Sequence, residues 1–192
     1  MRRLGTELGV DATAFYRHFR TKDDLVAAMA ERLFDRELEE LDLSGSWREN
    51  LRQLLWGGWR VYREHPGFAE TLARLPDDLP CLSQIAEHTL AELRRAGLPP
   101  GDAAVVYHST VDLVAGSGLF LANAPAFAET ARRDELRSRL AILPAETHPA
   151  LHEVSAHLYP PVEAVFANSV ELLLDAIQLR SEQAAQRHEE ER

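Results

Sequence analysis

Apolar residues along the chain recur at three- and four-residue spacing, and no stretch shows the period-two alternation of a strand. The reading is all-α. Leu4 and Leu8 lie one turn apart and precede Gly9, whose tolerance of positive φ suits a helix C-terminus. Asp11 offers an N-cap carboxylate for a second short helix, with Ala14, Phe15 and Phe19 as its apolar face. A third helix runs from Lys22 to about Leu41 on Leu25, Val26, Met29, Leu33, Phe34, Leu38 and Leu41. It opens with Asp23 and Asp24, where the helix dipole favours acid. Ser46 and Glu49 form a capping box for a helix from about Trp47 to Glu64, ended by His65-Pro66-Gly67.

Further along, a short helix is expected over 68–75, a linker over 76–80, and a helix over 82–96 that stops at Gly97. The stretch 102–123 is the most hydrophobic helix. Gly116 and Gly118 sit inside it at about 1 kcal/mol each relative to alanine, tolerable where another helix or a ligand approaches the backbone. A short helix over 127–140 and a helical turn over 151–158 follow. The last helix, from Val162 to about Gln186, carries Val162, Val165, Phe166, Ser169, Val170, Leu173, Leu174 and Ile177 on one broad face. The polar tail from His188 is expected to fray. Two regions result: a helix-turn-helix part with its connecting helix over 1–42, and a larger all-helical part over 46–187.

The 192 residues, 45% of them hydrophobic, suffice for a small domain plus a larger one. No apolar run approaching the ~18 residues of a membrane span stands out, and no signal-peptide pattern opens the chain, so no membrane partner is expected. A single cysteine, Cys81, excludes an internal disulfide and fits a reducing cytoplasm, the expected compartment. The net charge of −10 is divided unevenly. In residues 1–22, Arg2, Arg3, Arg17, Arg20 and Lys22 face only Glu7 and Asp11, a net of +3, which leaves −13 on the rest. A locally positive face, not a basic protein, is what phosphate binding requires.

The pattern L-x-x-x-L-G-V-x-x-x-x-F/Y-Y-x-H-F-x-x-K-x-x-L over Leu4–Leu25 resembles the DNA-binding domain of the tetracycline-repressor (TetR) family. In a helix-turn-helix the second helix enters the major groove with its N-terminal residues toward base edges, here Ala12 and Thr13, with Arg17 next along. The resemblance implies that Tyr16, His18 and Lys22 hold the phosphate backbone, and that Arg2 makes a contact at the start of the preceding helix. It also implies a helix before the helix-turn-helix. The chain opens at the family's second helix, so the expectation is an incomplete three-helix head. The remaining partners it implies are a double-stranded DNA operator, a second copy of the chain and a small-molecule effector.

In the family the glycine-containing helix and the last helix form a four-helix bundle with their copies, so Val114, Gly116, Gly118, Val162, Phe166, Val170, Leu173, Leu174 and Ile177 are the expected dimer interface. The effector pocket is expected between helices spanning 47–123, with Trp56, Trp59, Tyr62, Phe68, His88, Tyr107, His108 and Phe120 as candidate lining residues. Aligned on the family motifs, the pocket histidine, ligand-binding asparagine and magnesium histidine of tetracycline repressors fall on Leu38, Leu54 and Leu72. Leucine supplies no ligand to a hard cation, so an apolar or aromatic effector is expected in place of a magnesium chelate, with His88 or His108 as its polar anchor.

No enzyme constellation emerges. His148, His152 and His157 are interrupted by Pro149, and no nucleophile elbow or phosphate-cradling glycine loop is present. No cofactor or metal is expected. The expected function is a ligand-responsive, DNA-binding regulator, most simply a repressor; the alternative is a ligand-binding dimer whose incomplete head no longer binds DNA.

Overall fold

The computed structural model describes residues 2–9, 11, 16–65, 67–72, 74–75, 79–123 and 129–190; the side chains of residues 2, 8, 122, 123 and 188 are outside the description. All regular elements among the described residues are helical. Their boundaries follow from caps. Helix α1 (Arg2–Leu8) stops at Gly9, at φ +66°. Helix α2 (Lys22–Glu39) opens on a second capping box that the sequence reading passed over. The Thr21 hydroxyl accepts the Asp24 amide at 3.0 Å, and the Asp24 carboxylate accepts the Thr21 amide at 3.0 Å. Helix α3 (Trp47–Glu64) has the expected Ser46–Glu49 box. Then come α4 (Phe68–Leu72), α5 (Pro80–Arg95, with proline in its first turn) and α6 (Pro100–Asn123). Helices α7 (Thr130–Ala141) and α8 (Pro149–Val154), with a 3₁₀ turn at Ser155–His157, form a lateral arm. Helix α9 (Val162–Glu190) closes the fold and continues through residues 188–190, which were expected to fray.

Helix α3 lies at the centre, packed against α2, α5, α6 and α9. One core gathers Leu51, Leu54, Leu55 and Trp59 of α3 with Leu93, Val106, Phe166, Val170, Leu174 and Ile177. The Trp59 and Phe166 rings stack at 5.1 Å with planes 15° apart, and Trp56 meets both edge-on. A second core joins Ala30 and Phe34 of α2 to Val61, Tyr62, Phe68 and Cys81, and Val114 of α6 packs against both.

Polar pins fix the register. Arg52 reaches Glu171 at 2.7 Å and Arg48 reaches the same carboxylate at 3.0 Å, tying α9 to α3. Asn50, fully buried, donates to the Leu43 carbonyl and to Glu92 while accepting the Gly45 amide. Its amide is thereby satisfied, and the 42–46 loop is held over α5. In the arm, Arg137 donates to the carbonyls of Leu158 and Tyr159.

Helix α6 departs from expectation in one respect. Pro100–Leu121, at a mean hydropathy of 1.3, is long and apolar enough to cross a membrane. Its composition has a local cause. One side packs on α3 and α5, while Val105, Leu119 and Phe120 on another remain exposed. Gly118 is required by packing, since a Cβ there would lie 2.6 Å from Cγ of Tyr62, whereas Gly116 faces open space.

Two outcomes follow. Gly118→Ala should destabilise the fold despite alanine's advantage of about 1 kcal/mol in helix propensity, as measured by urea unfolding. Hydrogen bonds from Arg52, then from Arg48, pull the Glu171 carboxyl from its ordinary 4.5 down to about 2. The unfolded chain therefore takes up this proton first. The stability contributed by Glu171 is complete above 4.5 and is lost as pH falls toward 2. Glu171→Gln should flatten the acid limb of thermal stability against pH in that window.

Candidate functional site

Two regions carry the chemistry, and α2 joins them. At its amino end lie the exposed Arg17, His18, Arg20 and Lys22, with Tyr16 exposed at 55%. A tyrosine that open cannot be core, so its ring is free to meet a partner. Ala12, Thr13 and the Arg2 side chain lie outside the described residues.

At its other end α2 forms one wall of a cavity of about 560 Å³, supplying Phe34, Glu37 and Leu38, with Leu41 just past its C-terminus. Helix α3 adds Leu54, Leu55, Gly57, Gly58 and Tyr62; α5 adds Leu82, Ser83, Ile85, Ala86 and Thr89; α6 adds Tyr107, His108, Thr110, Val111, Val114 and Ala115. The volume and the mostly apolar wall with a few polar groups are those of a small-molecule site. Burial pushes the Tyr62 phenol up to about 12, so it stays a neutral donor and acceptor.

Three of the eight expected lining residues, Tyr62, Tyr107 and His108, do line this cavity. The other five do not. Trp56 and Trp59 turn toward α9 and join the aromatic core, because they sit on another side of α3 from Gly58 and Tyr62. Phe68 packs on Phe34 in the second core. On α5, Ile85, Ala86 and Thr89 face inward and leave His88 exposed, while Phe120 lies beyond Gly118 at 46% exposure. Leu38 and Leu54 line the cavity, whereas Leu72 packs beside the second core. Sequence reasoning missed Glu37. It reads as part of a charged helix face, and only its place one residue before Leu38 hinted at the pocket wall.

The expected dimer residues also divide. Phe166, Val170, Leu174 and Ile177 are 0–1% exposed within the single chain, Leu173 packs beside them, and Gly118 is covered by Tyr62. Val114 belongs to the cavity wall. They are internal core, because the broad apolar face of α9 is two stripes and the wider one turns inward. The outward stripe is Val165, Leu172 and Leu179, at seven-residue spacing, and across from it in type are Val105, Leu119 and Phe120 on α6. Gly116 is exposed and Val162 is partly so. His148, His152 and His157 are exposed on the arm, and among the described residues no three His, Cys, Asp or Glu side chains converge as a metal site would require.

Residues 1–29 match the family described as bacterial regulatory proteins, tetR family, and residues 41–180 match the tetracyclin repressor-like C-terminal domain. The chain belongs to the TetR family. It is 32% identical over 120 residues to an HTH-type transcriptional repressor of Mycobacterium tuberculosis, a match covering 59% of this chain and 46% of that protein. The chain thus spans about half the length of the curated relatives it matches most strongly. A possible TetR family transcriptional regulator from Streptomyces coelicolor superposes with a TM-score of 0.75 at 28% identity, over 93% of this chain and 88% of that one. The TetR family protein ActR of the same organism, solved in complex with actinorhodin, shares the fold at a TM-score of 0.74 and 22% identity, over 94% and 87% of the two chains.

Cys81 lies where α2 meets the first turn of α5. Its amide donates to Glu31 of α2 at 3.0 Å, and burial, then the Glu31 charge, pushes its thiol up to about 12. Iodoacetamide should therefore modify Cys81 in the folded TetR-family chain slower than in the urea-unfolded chain, by on the order of a hundredfold or more, as mass spectrometry would record.

Proposed function

We propose that this TetR-family chain is a ligand-responsive repressor, a homodimer that binds an operator through its amino-terminal segment and is released when an effector fills the cavity. One observation carries the reading. The helix that forms a wall of the cavity is the same helix that begins at Lys22, beside the exposed Tyr16, Arg17 and His18. A molecule lodged against Phe34, Glu37, Leu38 and Leu41 acts on the lever that carries the DNA-binding segment. Operator DNA favours one separation of the two recognition helices, about 34–36 Å in B-DNA, and the effector favours another. The ligand shifts this balance only by its difference in affinity for the two states.

The roles follow from chemistry. Arg17 is suited to a bidentate contact with guanine, and Ala12 and Thr13 are placed by the motif at base edges. Tyr16, His18, Lys22 and Arg2 hold phosphates, which set position and not sequence. The pairing surface is the outward stripe of α9, Val165, Leu172 and Leu179, with the exposed side of α6 around Val105, Gly116 and Leu119. The mostly aliphatic and aromatic wall of the cavity supports a largely apolar effector as the class to test first.

The test uses the whole chain and duplexes selected from a random-sequence pool. Lys22→Ala should weaken all selected duplexes alike and lower the slope of log K against log salt by about 1. Arg17→Ala should relax discrimination at one base pair by about 1–3 kcal/mol. Leu172→Glu should give a monomer by sedimentation with its helical circular dichroism kept, and with operator binding lost. If selection enriches no sequence while the chain still dimerises, the repressor reading fails and a ligand-binding dimer without DNA replaces it.

A further inference from the structure

The single formal charge in the cavity sits on the lever itself. Among the described lining residues Glu37 is the only Asp, Glu, Lys or Arg. The polar remainder is neutral hydroxyls, two phenols and the His108 ring. Two of the hydroxyls are committed, Thr89 to the Ile85 carbonyl at 2.8 Å and Thr110 to the Tyr107 carbonyl at 2.6 Å. The Glu37 side chain is only 15% exposed and lies across Gly57, where a Cβ would stand 3.0 Å from Oε1. Its partner, Arg60 of α3, is outside the cavity wall. Arg60 sends both Nε and Nη2 to the same oxygen, Oε1. Oε2 therefore keeps its acceptor capacity.

A chamber of this kind discriminates by charge. A ligand carboxylate brought beside Glu37 would lose its hydration and gain repulsion, with no lysine or arginine in the wall to compensate. A ligand ammonium would meet a carboxylate already desolvated and held in place, in surroundings where a charged hydrogen bond is strong. The aliphatic and aromatic remainder suits a lipophilic body.

We propose that the cavity takes lipophilic cations, an aromatic or alicyclic body bearing one protonated amine, with Glu37 as the residue that selects them. The ammonium draws the Glu37 carboxylate from Arg60, and α2 loses one of the two polar attachments to the body that it has among the described residues. The other, Glu31 on the Cys81 amide, stays. This rests on the reading of the cavity as the effector site, and it adds the chemical class and the residue through which occupancy reaches α2.

Calorimetric titration of the full chain with biphenylmethylamine, biphenylmethanol and biphenylcarboxylic acid tests it, since the three share one skeleton. The amine is expected to bind about tenfold tighter than the alcohol, and the acid weaker than both. Glu37→Gln, which keeps the shape of the side chain, should erase the amine's advantage over the alcohol. Arg60→Gln, which releases the carboxylate, should tighten the amine several-fold and leave the alcohol unchanged. The two variants act in opposite directions, so either one decides if the other fails to fold. An amine no tighter than the alcohol, an advantage that survives Glu37→Gln, or no gain in Arg60→Gln overturns the inference while the cavity reading stands. If no probe binds, or if the cavity-filling Ala86→Trp leaves alcohol binding intact, the cavity reading falls and the inference falls with it.

Discussion

The attachment of α2 to the body is the constraint on which the rest depends. This helix has 18 residues; Ala30 and Phe34 are buried along it, and Val26, Ala27, Leu33 and Leu38 are half-buried against the two cores. By area this seam supplies less than a core helix such as α3 draws from its six buried apolar side chains. Two carboxylates complete the attachment, Glu31 on the first turn of α5 and Glu37 on Arg60 of α3. The lever of the proposed repressor needs alternative positions within reach of modest free energy, and an attachment that includes surface-reachable ion pairs suits it. A lever buried as deeply as α3 would transmit nothing.

The other end of the molecule is organised oppositely. Helix α9 commits Phe166, Val170, Leu174 and Ile177 to the core through the Trp59 stack, and Arg48 and Arg52 lock its register. Its rigidity fixes the outward stripe of Val165, Leu172 and Leu179 as a flat apolar edge. The cavity lies between α2 and the body helices α3, α5 and α6, and among the described residues α9 adds nothing to its wall.

Much of this was legible in the sequence, and the misses have physical causes. Capping chemistry is local, so Gly9 and the Ser46–Glu49 box placed helix ends to within a residue or two. The Thr21–Asp24 box was equally local, but it was read only as acid in a first turn. Periodicity identifies that a face is buried without naming the neighbour that buries it. Helix α3 is covered on nearly all sides, so Trp59 and Tyr62 looked alike, yet one meets α9 and the other the cavity. The same ambiguity groups Val165 with the inward residues of α9 and hides Leu172 and Leu179, which share its outward side. Glu37 was invisible for a different reason. It lies across Gly57 twenty residues away, where a Cβ would crowd it, a long-range fact that no local pattern encodes.

That closeness to Gly57 has an evolutionary consequence. One carboxylate, Glu37, belongs at once to the cavity wall and to the pair with Arg60 that ties α2 to α3. In the repressor proposed above, a substitution at Glu37 that retunes which compounds are sensed would therefore also alter how tightly the uninduced gene is shut off. New sensitivities in such a lineage should arise together with compensating changes on α2 or α3, and drift at residue 57 should be closed to every side chain that would displace its neighbour.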